Sequence, residues 1–131
     1  MKAIVIDDSK SMRMILKRIM GNLGYEVMEA EHGQDALDKL ETAIDSLPDV
    51  ALIDWNMPVM DGLSFVQRVR TDNRFRPITL MMVTSESEQS QIVRALAAGA
   101  HEYVIKPFTA DAIADKLELL GLETVGNSRR G

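Results

Sequence analysis

Asp7 and Asp8, Asp54 and Asn56, Thr84 and Ser85, and Lys106 are the residues whose types and spacing could do chemistry together. Each group directly follows a short apolar run: Ala3 to Ile6 precedes Asp7, Val50 to Ile53 precedes Asp54, Ile78 to Val83 precedes Thr84, and Tyr103 to Ile105 precedes Lys106. In an open parallel sheet, ligands bind beyond the carboxyl ends of the strands, so these four groups would share one rim. Three carboxylates gathered there repel one another, by about 4 kcal/mol per pair at ~4 Å for an effective dielectric near 20, and a cation relieves that repulsion. The chain has no cysteine, and neither histidine falls at these strand ends. Every candidate donor is therefore an oxygen, which selects a hard ion, Mg²⁺ or Mn²⁺. Carboxylates, a hard metal, a hydroxyl and a lysine are what phosphoryl transfer requires, because charge on the equatorial phosphate oxygens must be neutralised beside an aligned nucleophile. Asp54 is the candidate nucleophile.

The rest of the chain supplies elements to hold these groups. A helix from about Ser9 carries Met12, Leu16, Ile19 and Leu23 on one face, and a strand from Tyr25 to Ala30 follows it. Further helices are predicted near Gly33 to Ile44, Leu63 to Arg70, Glu86 to Ala98 and Thr109 to Leu120, giving five β/α repeats. Strands one, three and four are nearly continuous apolar runs, as in a parallel sheet covered by helices on both faces. Strand two carries Glu26 and Glu29, as a solvent-facing edge would. The fold class is thus α/β, a doubly wound five-stranded parallel sheet. Residues 1–122 read as one domain, and 123–131 as a flexible tail without a core pattern.

Composition closes several other classes. At 131 residues with 46% hydrophobic and 27% charged residues, the chain is an ordinary globular domain. A net charge of -5, with Lys17-Arg18 and Arg129-Arg130 as the adjacent basic pairs, disfavours direct nucleic-acid binding. The absence of cysteine excludes disulfides and thiolate chemistry and fits a reducing compartment. The N-terminus MKAIVIDD lacks a signal-peptide core, and no apolar stretch approaches the ~18 residues of a membrane span. A cytoplasmic protein without membrane insertion is expected.

The segments IDD, DWNMPVMDG, MVTSE and EYVIKPF resemble the receiver domains of two-component response regulators, over residues 2 to about 121. Within that family the chain is most similar to the single-domain, CheY-like type. The resemblance implies the flavodoxin-like strand order 2-1-3-4-5 with five helices. It also implies that Asp54 accepts phosphate, that Asp7, Asp8, Asp54 and the Asn56 backbone carbonyl hold Mg²⁺, and that Lys106 and Thr84 contact the phosphate. Thr84 and Tyr103 would form the switch, with Tyr103 turning inward once phosphate draws the Thr84 hydroxyl away. Asn56 and Glu86 would tune dephosphorylation, and Pro107 would follow a bond that is often cis. The implied donor is a histidine kinase or histidine phosphotransfer protein, and the implied output is an unidentified protein bound by the face of helix 4, strand 5 and helix 5. The unphosphorylated chain would be a monomer, and it would be no enzyme beyond its own phosphorylation and dephosphorylation.

Plainer roles compete at several positions. Ser9 or Asp8 could cap the first helix, and Asp61 reads better as a cap than as a site residue. Lys10, Arg13, Lys17 and Arg18 make the outer side of the first helix basic, as a solvated face or a donor-docking one. His32 and His101 read as surface residues, and Trp55 as packing beside the site. Met12, Met20, Met81 and Met82 read as core. Three other functions are weighed: a Mg²⁺-dependent phosphohydrolase with Asp54 as nucleophile, a phosphorylation-independent interaction module, and flavodoxin. The first lacks a DxD on strand one and a substrate cap; the second is weakened because every acceptor-site residue is present. Flavodoxin, which shares the strand order, is disfavoured because DDSKSM, with two carboxylates, stands where a phosphate loop would be.

Overall fold

The protein is seen in a computed structural model that describes residues 1–125. Five strands, β1 (Lys2–Ile6), β2 (Glu26–Ala30), β3 (Val50–Ile53), β4 (Thr79–Thr84) and β5 (Glu102–Ile105), form one sheet in the order β2-β1-β3-β4-β5. All four pairings are parallel. The expected flavodoxin-like order is present. Helices α1 (Lys10–Asn22), α2 (Gly33–Thr42), α3 (Gly62–Arg70), α4 (Gln89–Ala98) and α5 (Ala110–Leu119) alternate with the strands.

Strand side chains point alternately to the two faces, so the apolar runs divide between two cores. Ile4, Ile6, Ala51, Ile53, Leu80 and Met82 pack with Leu37 and Leu40 of α2, Phe65 and Val66 of α3, and Ala95 of α4. Ala3, Val5, Val50, Leu52, Met81 and Val83 pack with Leu16 and Met20 of α1 and Ile113 and Leu117 of α5. Burial on both faces is why these strands read as unbroken apolar runs. The register pairs Ile6 with both Ala30 and Ile53, and Thr84 with Ile105, which levels the strand ends that carry the candidate residues.

Two expectations are corrected. Helix α4 begins at Gln89, so Glu86 precedes it. The reason lies in its contacts: the Glu86 N–H is turned to the Thr84 hydroxyl oxygen at 3.4 Å, and its carbonyl accepts from the Tyr103 hydroxyl at 2.6 Å. Arg13, expected on the solvated side of α1, is buried at 9% exposure. At the other end of the chain, the Val125 N–H donates to the Leu23 carbonyl and the Tyr25 hydroxyl to the Glu123 carbonyl. The remainder of the expected tail, 126–131, lies outside the described residues.

Candidate functional site

The backbone ladder runs directly into the acidic rim. The Asp7 N–H donates to the Ala30 carbonyl at 3.1 Å, the Asp54 N–H to Ile6 at 2.9 Å, and the Lys106 N–H to Thr84 at 2.9 Å. Site residues are therefore continuations of strands, which hold side chains more rigidly than free loops do. One carboxylate oxygen each from Asp7, Asp8 and Asp54 lies within 4.8 Å of the others. At that spacing like charges cost about 3 kcal/mol per pair for an effective dielectric near 20.

Lys106 reaches in from the end of β5. Its Nζ lies 2.9 Å from Asp7 Oδ2 and 3.7 Å from Asp54 Oδ2. One ammonium among three carboxylates leaves the cluster short of cations, and the donors are all hard oxygens. A divalent hard ion fits that set. Asp7 and Thr84 are buried, whereas Asp8 is exposed and Asp54 half-buried. Burial pushes the Asp54 carboxyl above the ordinary carboxylate range; a hydrogen bond from Thr84 and the charge of Lys106 oppose the rise, and Asp7 adds to it. The Trp55 N–H donates to Asp54 Oδ1 at 2.8 Å. Trp55 itself is 7% exposed and packs in the core beside the site.

Around the rim, Asn56 Nδ2 donates to Glu86 Oε1 at 2.7 Å, so the two residues assigned to tuning meet across the site. The Tyr103 ring is 8% exposed and its hydroxyl is held by the Glu86 carbonyl. Burial first, then the charges of Glu86 and Asp54, raises the Tyr103 hydroxyl above its usual value. The inward position assigned to Tyr103 after phosphorylation is thus already occupied in this structure. The Lys106–Pro107 bond is cis.

The Asp61-Gly62 junction sets the backbone beneath the site. Asp61 caps α3 by accepting from the Ser64 N–H at 2.8 Å, as expected. The Gly62 N–H donates to the Trp55 carbonyl, and a Cβ at position 62 would stand 2.1 Å from the Asp54 carbonyl oxygen. Val59, between them, holds a positive φ of 66° with its side chain in solvent. For a β-branched residue that is a strained conformation.

The sequence reading missed Arg13. Its Nη1 donates to the Asp7 carbonyl at 2.7 Å and its Nε to Glu29 at 3.3 Å. The missed signal was its position: residues 13, 16 and 20 form one helical stripe, and Leu16 and Met20 are the apolar members of it. His32 proved to be the α2 cap, its Nδ1 accepting from the Asp35 N–H. His101, though exposed, accepts the Leu80 N–H at Nδ1.

The family model for the response regulator receiver domain matches residues 3–118. The chain is 46% identical over 121 residues to the chemotaxis protein CheY1 of Helicobacter pylori, covering 92% of this chain and 96% of that protein. It is 42% identical to a CheY homolog of Campylobacter jejuni, with 90% of each chain covered. The solved structure of the chemotaxis response regulator CheY4 of Vibrio cholerae superposes with a TM-score of 0.82 at 33% identity, over 91% of this chain and 97% of that one. Among the described residues no helix is long and apolar enough to cross a membrane. An acidic rim on a 2-1-3-4-5 sheet and a family match over nearly the whole domain lead to one conclusion: the chain belongs to the response regulator receiver domain family, the phosphorylation-dependent switches of two-component signalling.

Proposed function

We propose that Asp54 is the phosphoacceptor of this receiver, with Asp7, Asp8, Asp54 and the Asn56 backbone carbonyl holding Mg²⁺ or, in its place, Mn²⁺. The single observation that carries the reading is the triad of carboxylates within 4.8 Å, reached by Lys106 and by the Thr84 hydroxyl. When bound, the divalent ion neutralises charge on the phosphoryl oxygens. An Asp54 carboxylate oxygen attacks phosphorus, the P–N bond of a phosphohistidine donor breaks, and the imidazole leaves with the bonding electron pair. Lys106 and Thr84 then hydrogen-bond the transferred group, contacts strengthened by its charge. Asn56 and Glu86, joined over the site, govern the approach of the water that later hydrolyses the acyl phosphate.

The donor on this reading is a histidine kinase or a histidine phosphotransfer protein in the cytoplasm, and the output is a protein rather than nucleic acid. The chemotaxis proteins among the relatives favour a chemotaxis pathway. Binding to a flagellar motor switch is less well supported by the α4 face, since Arg94 is the one basic residue of that helix. The unphosphorylated protein is a monomer. Thr84 and Tyr103 couple acceptor to output: with Tyr103 already inward, phosphorylation acts by holding it there. Moving a population from 1:99 to 99:1 requires about 5.5 kcal/mol of preference, within reach of several charge-assisted hydrogen bonds.

Acetyl phosphate tests the acceptor. The wild type should gain one phosphoryl mass on the peptide containing Asp54 in millimolar Mg²⁺ and none in EDTA, and Asp54→Asn should gain none. A full adduct on Asp54→Asn would overturn the assignment.

A further inference from the structure

Among the described residues, three polar or charged ones are buried: Asp7, Thr84 and Arg13. Two of them belong to the acidic rim already described. The third lies in the first turn of α1 and is bonded to the first. Burying a guanidinium is costly unless its donors are satisfied, and an apolar side chain of similar length would pack at that position without the penalty. The buried charge therefore calls for a reason beyond packing.

Its hydrogen bonds supply one. The sheet pairings of β1 end at Ile6, leaving the Asp7 carbonyl beyond the ladder. Arg13 Nη1 takes that carbonyl at 2.7 Å, while Nε turns to Glu29 on the edge strand β2. The Asp7 carbonyl belongs to the planar peptide unit that joins Asp7 to Asp8. Holding its oxygen fixes the plane, and with it the direction in which the Asp8 side chain leaves the backbone. Asp7 is otherwise gripped at its N–H by Ala30, at Oδ1 by the Ser9 N–H at 2.9 Å, and at Oδ2 by Lys106. Those contacts orient Asp7. The guanidinium is what acts on the peptide plane leading to Asp8, whose own side chain is exposed.

We propose that Arg13 is a positioning residue for the divalent-cation site. It sets the Asp7–Asp8 peptide plane so that the exposed carboxylate converges with Asp7 and Asp54, and Glu29 balances its charge. The inference rests on the metal reading above, and it concerns the preorganisation of the site rather than the phosphoryl step. Outer partners of metal ligands characteristically change affinity by about 10- to 100-fold when removed.

The test is Mg²⁺ binding followed by the fluorescence of Trp55, the single tryptophan of the chain, with calorimetry as a second measure. Arg13→Met keeps the buried apolar stem and removes the donor, and should weaken Mg²⁺ binding about tenfold. Arg13→Lys, which retains one donor, should fall between the two. Glu29→Gln, which leaves the Asp7 carbonyl bond in place, should stay within about threefold of wild type. The Asp8 and Ser9 amide resonances should shift in Arg13→Met without Mg²⁺. A merely structural arginine predicts the reverse: a lower melting temperature with unchanged Mg²⁺ affinity. If Arg13→Met does not fold, Arg13→Lys carries the test alone, with about threefold weaker binding expected. Mg²⁺ affinity within twofold of wild type in the folded variant would overturn the role while leaving the metal reading intact. Absence of Mg²⁺ binding by the wild type would overturn both.

Discussion

Helix α1 begins three residues after Asp7, and α4 begins five residues after Thr84, so both flank the acidic rim. They are attached to the body very differently. The 13-residue α1 is capped by the Ser9 hydroxyl, which accepts the Met12 N–H, and it buries Arg13, Leu16 and Met20. The 10-residue α4 is preceded by Glu88, which makes no side-chain cap, and Ala95 is the one residue it fully buries. Val93 and Leu96 of α4 remain 53% and 43% exposed. Helices with small buried footprints occupy the low end of a protein's local stability. The comparison assigns α1 to the fixed wall of the site and α4 to the wall that responds. In a switch those are the two parts required: one holds the cation ligands still, and the other can be moved by a change at Thr84 and Glu86.

The largest effect expected from this contrast lies in the core of α1. Leu16→Ala should cost about 3 kcal/mol and lower the melting temperature by roughly 10 °C, while Val93→Ala on α4 should stay within about 0.5 kcal/mol of wild type. Urea and thermal unfolding would measure both, and equal losses would erase the distinction between the two helices. Next come the caps. Ser9→Ala should cost about 1 kcal/mol, whereas Glu88→Ser should strengthen the start of α4 by several tenths, visible as slower hydrogen exchange of the α4 amides. No change in α4 exchange would mean that the uncapped start is not what loosens it.

The smallest effect is a pH dependence at the far end of α4. His101 Nδ1 accepts the Leu80 N–H at 3.0 Å and lies 3.3 Å from Arg70 Nη2, so the proton it would gain on acidification has two donors in its way. Burial first, then the charge of Arg70, lowers its pKa below 6.5. A base with a lowered folded pKa is protonated more readily in the unfolded chain, so stability rises with pH through this range. Its contribution is complete above pH ~6.5 and is lost as pH falls from there through the folded value. Titration of the His101 ring by NMR should give a midpoint below 6.5, with the Leu80 amide shifting in step. A midpoint at or above 6.5 would remove the proposed acid sensitivity of the α4–β5 turn.

All ten elements were legible in the sequence: β1, β3 and β4 because burial on both faces leaves unbroken apolar runs that stop at a charged or hydroxyl residue, edge strand β2 by Glu26 and Glu29 set among apolar residues, and the helices by their apolar stripes. Asp7, Asp8 and Asp54 group together on sequence alone, since the carboxyl ends of parallel strands share a rim. What stayed hidden depended on side chains that contradict their type. Arg13 was read by its charge rather than by its place on the stripe with Leu16 and Met20. Glu86 has ordinary helix propensity, yet the Tyr103 hydroxyl takes its carbonyl and the Thr84 hydroxyl faces its N–H, tertiary contacts that a local pattern does not contain. The meeting of Asn56 with Glu86, 30 residues apart, is likewise a product of folding alone.

Gly62 carries a consequence for how far this chain can vary. The residue before it, Asp61, does a job that several short polar side chains can do, so that position is free to drift among Ser, Thr, Asn and Asp. One step along, a Cβ would run into the Asp54 carbonyl oxygen and, at 3.1 Å, into the Ile53 side chain. Nineteen of the twenty coded residues bring that atom. Tolerance therefore changes from wide to nil across a single peptide bond, and any lineage that keeps the acceptor loop in this shape inherits glycine with it.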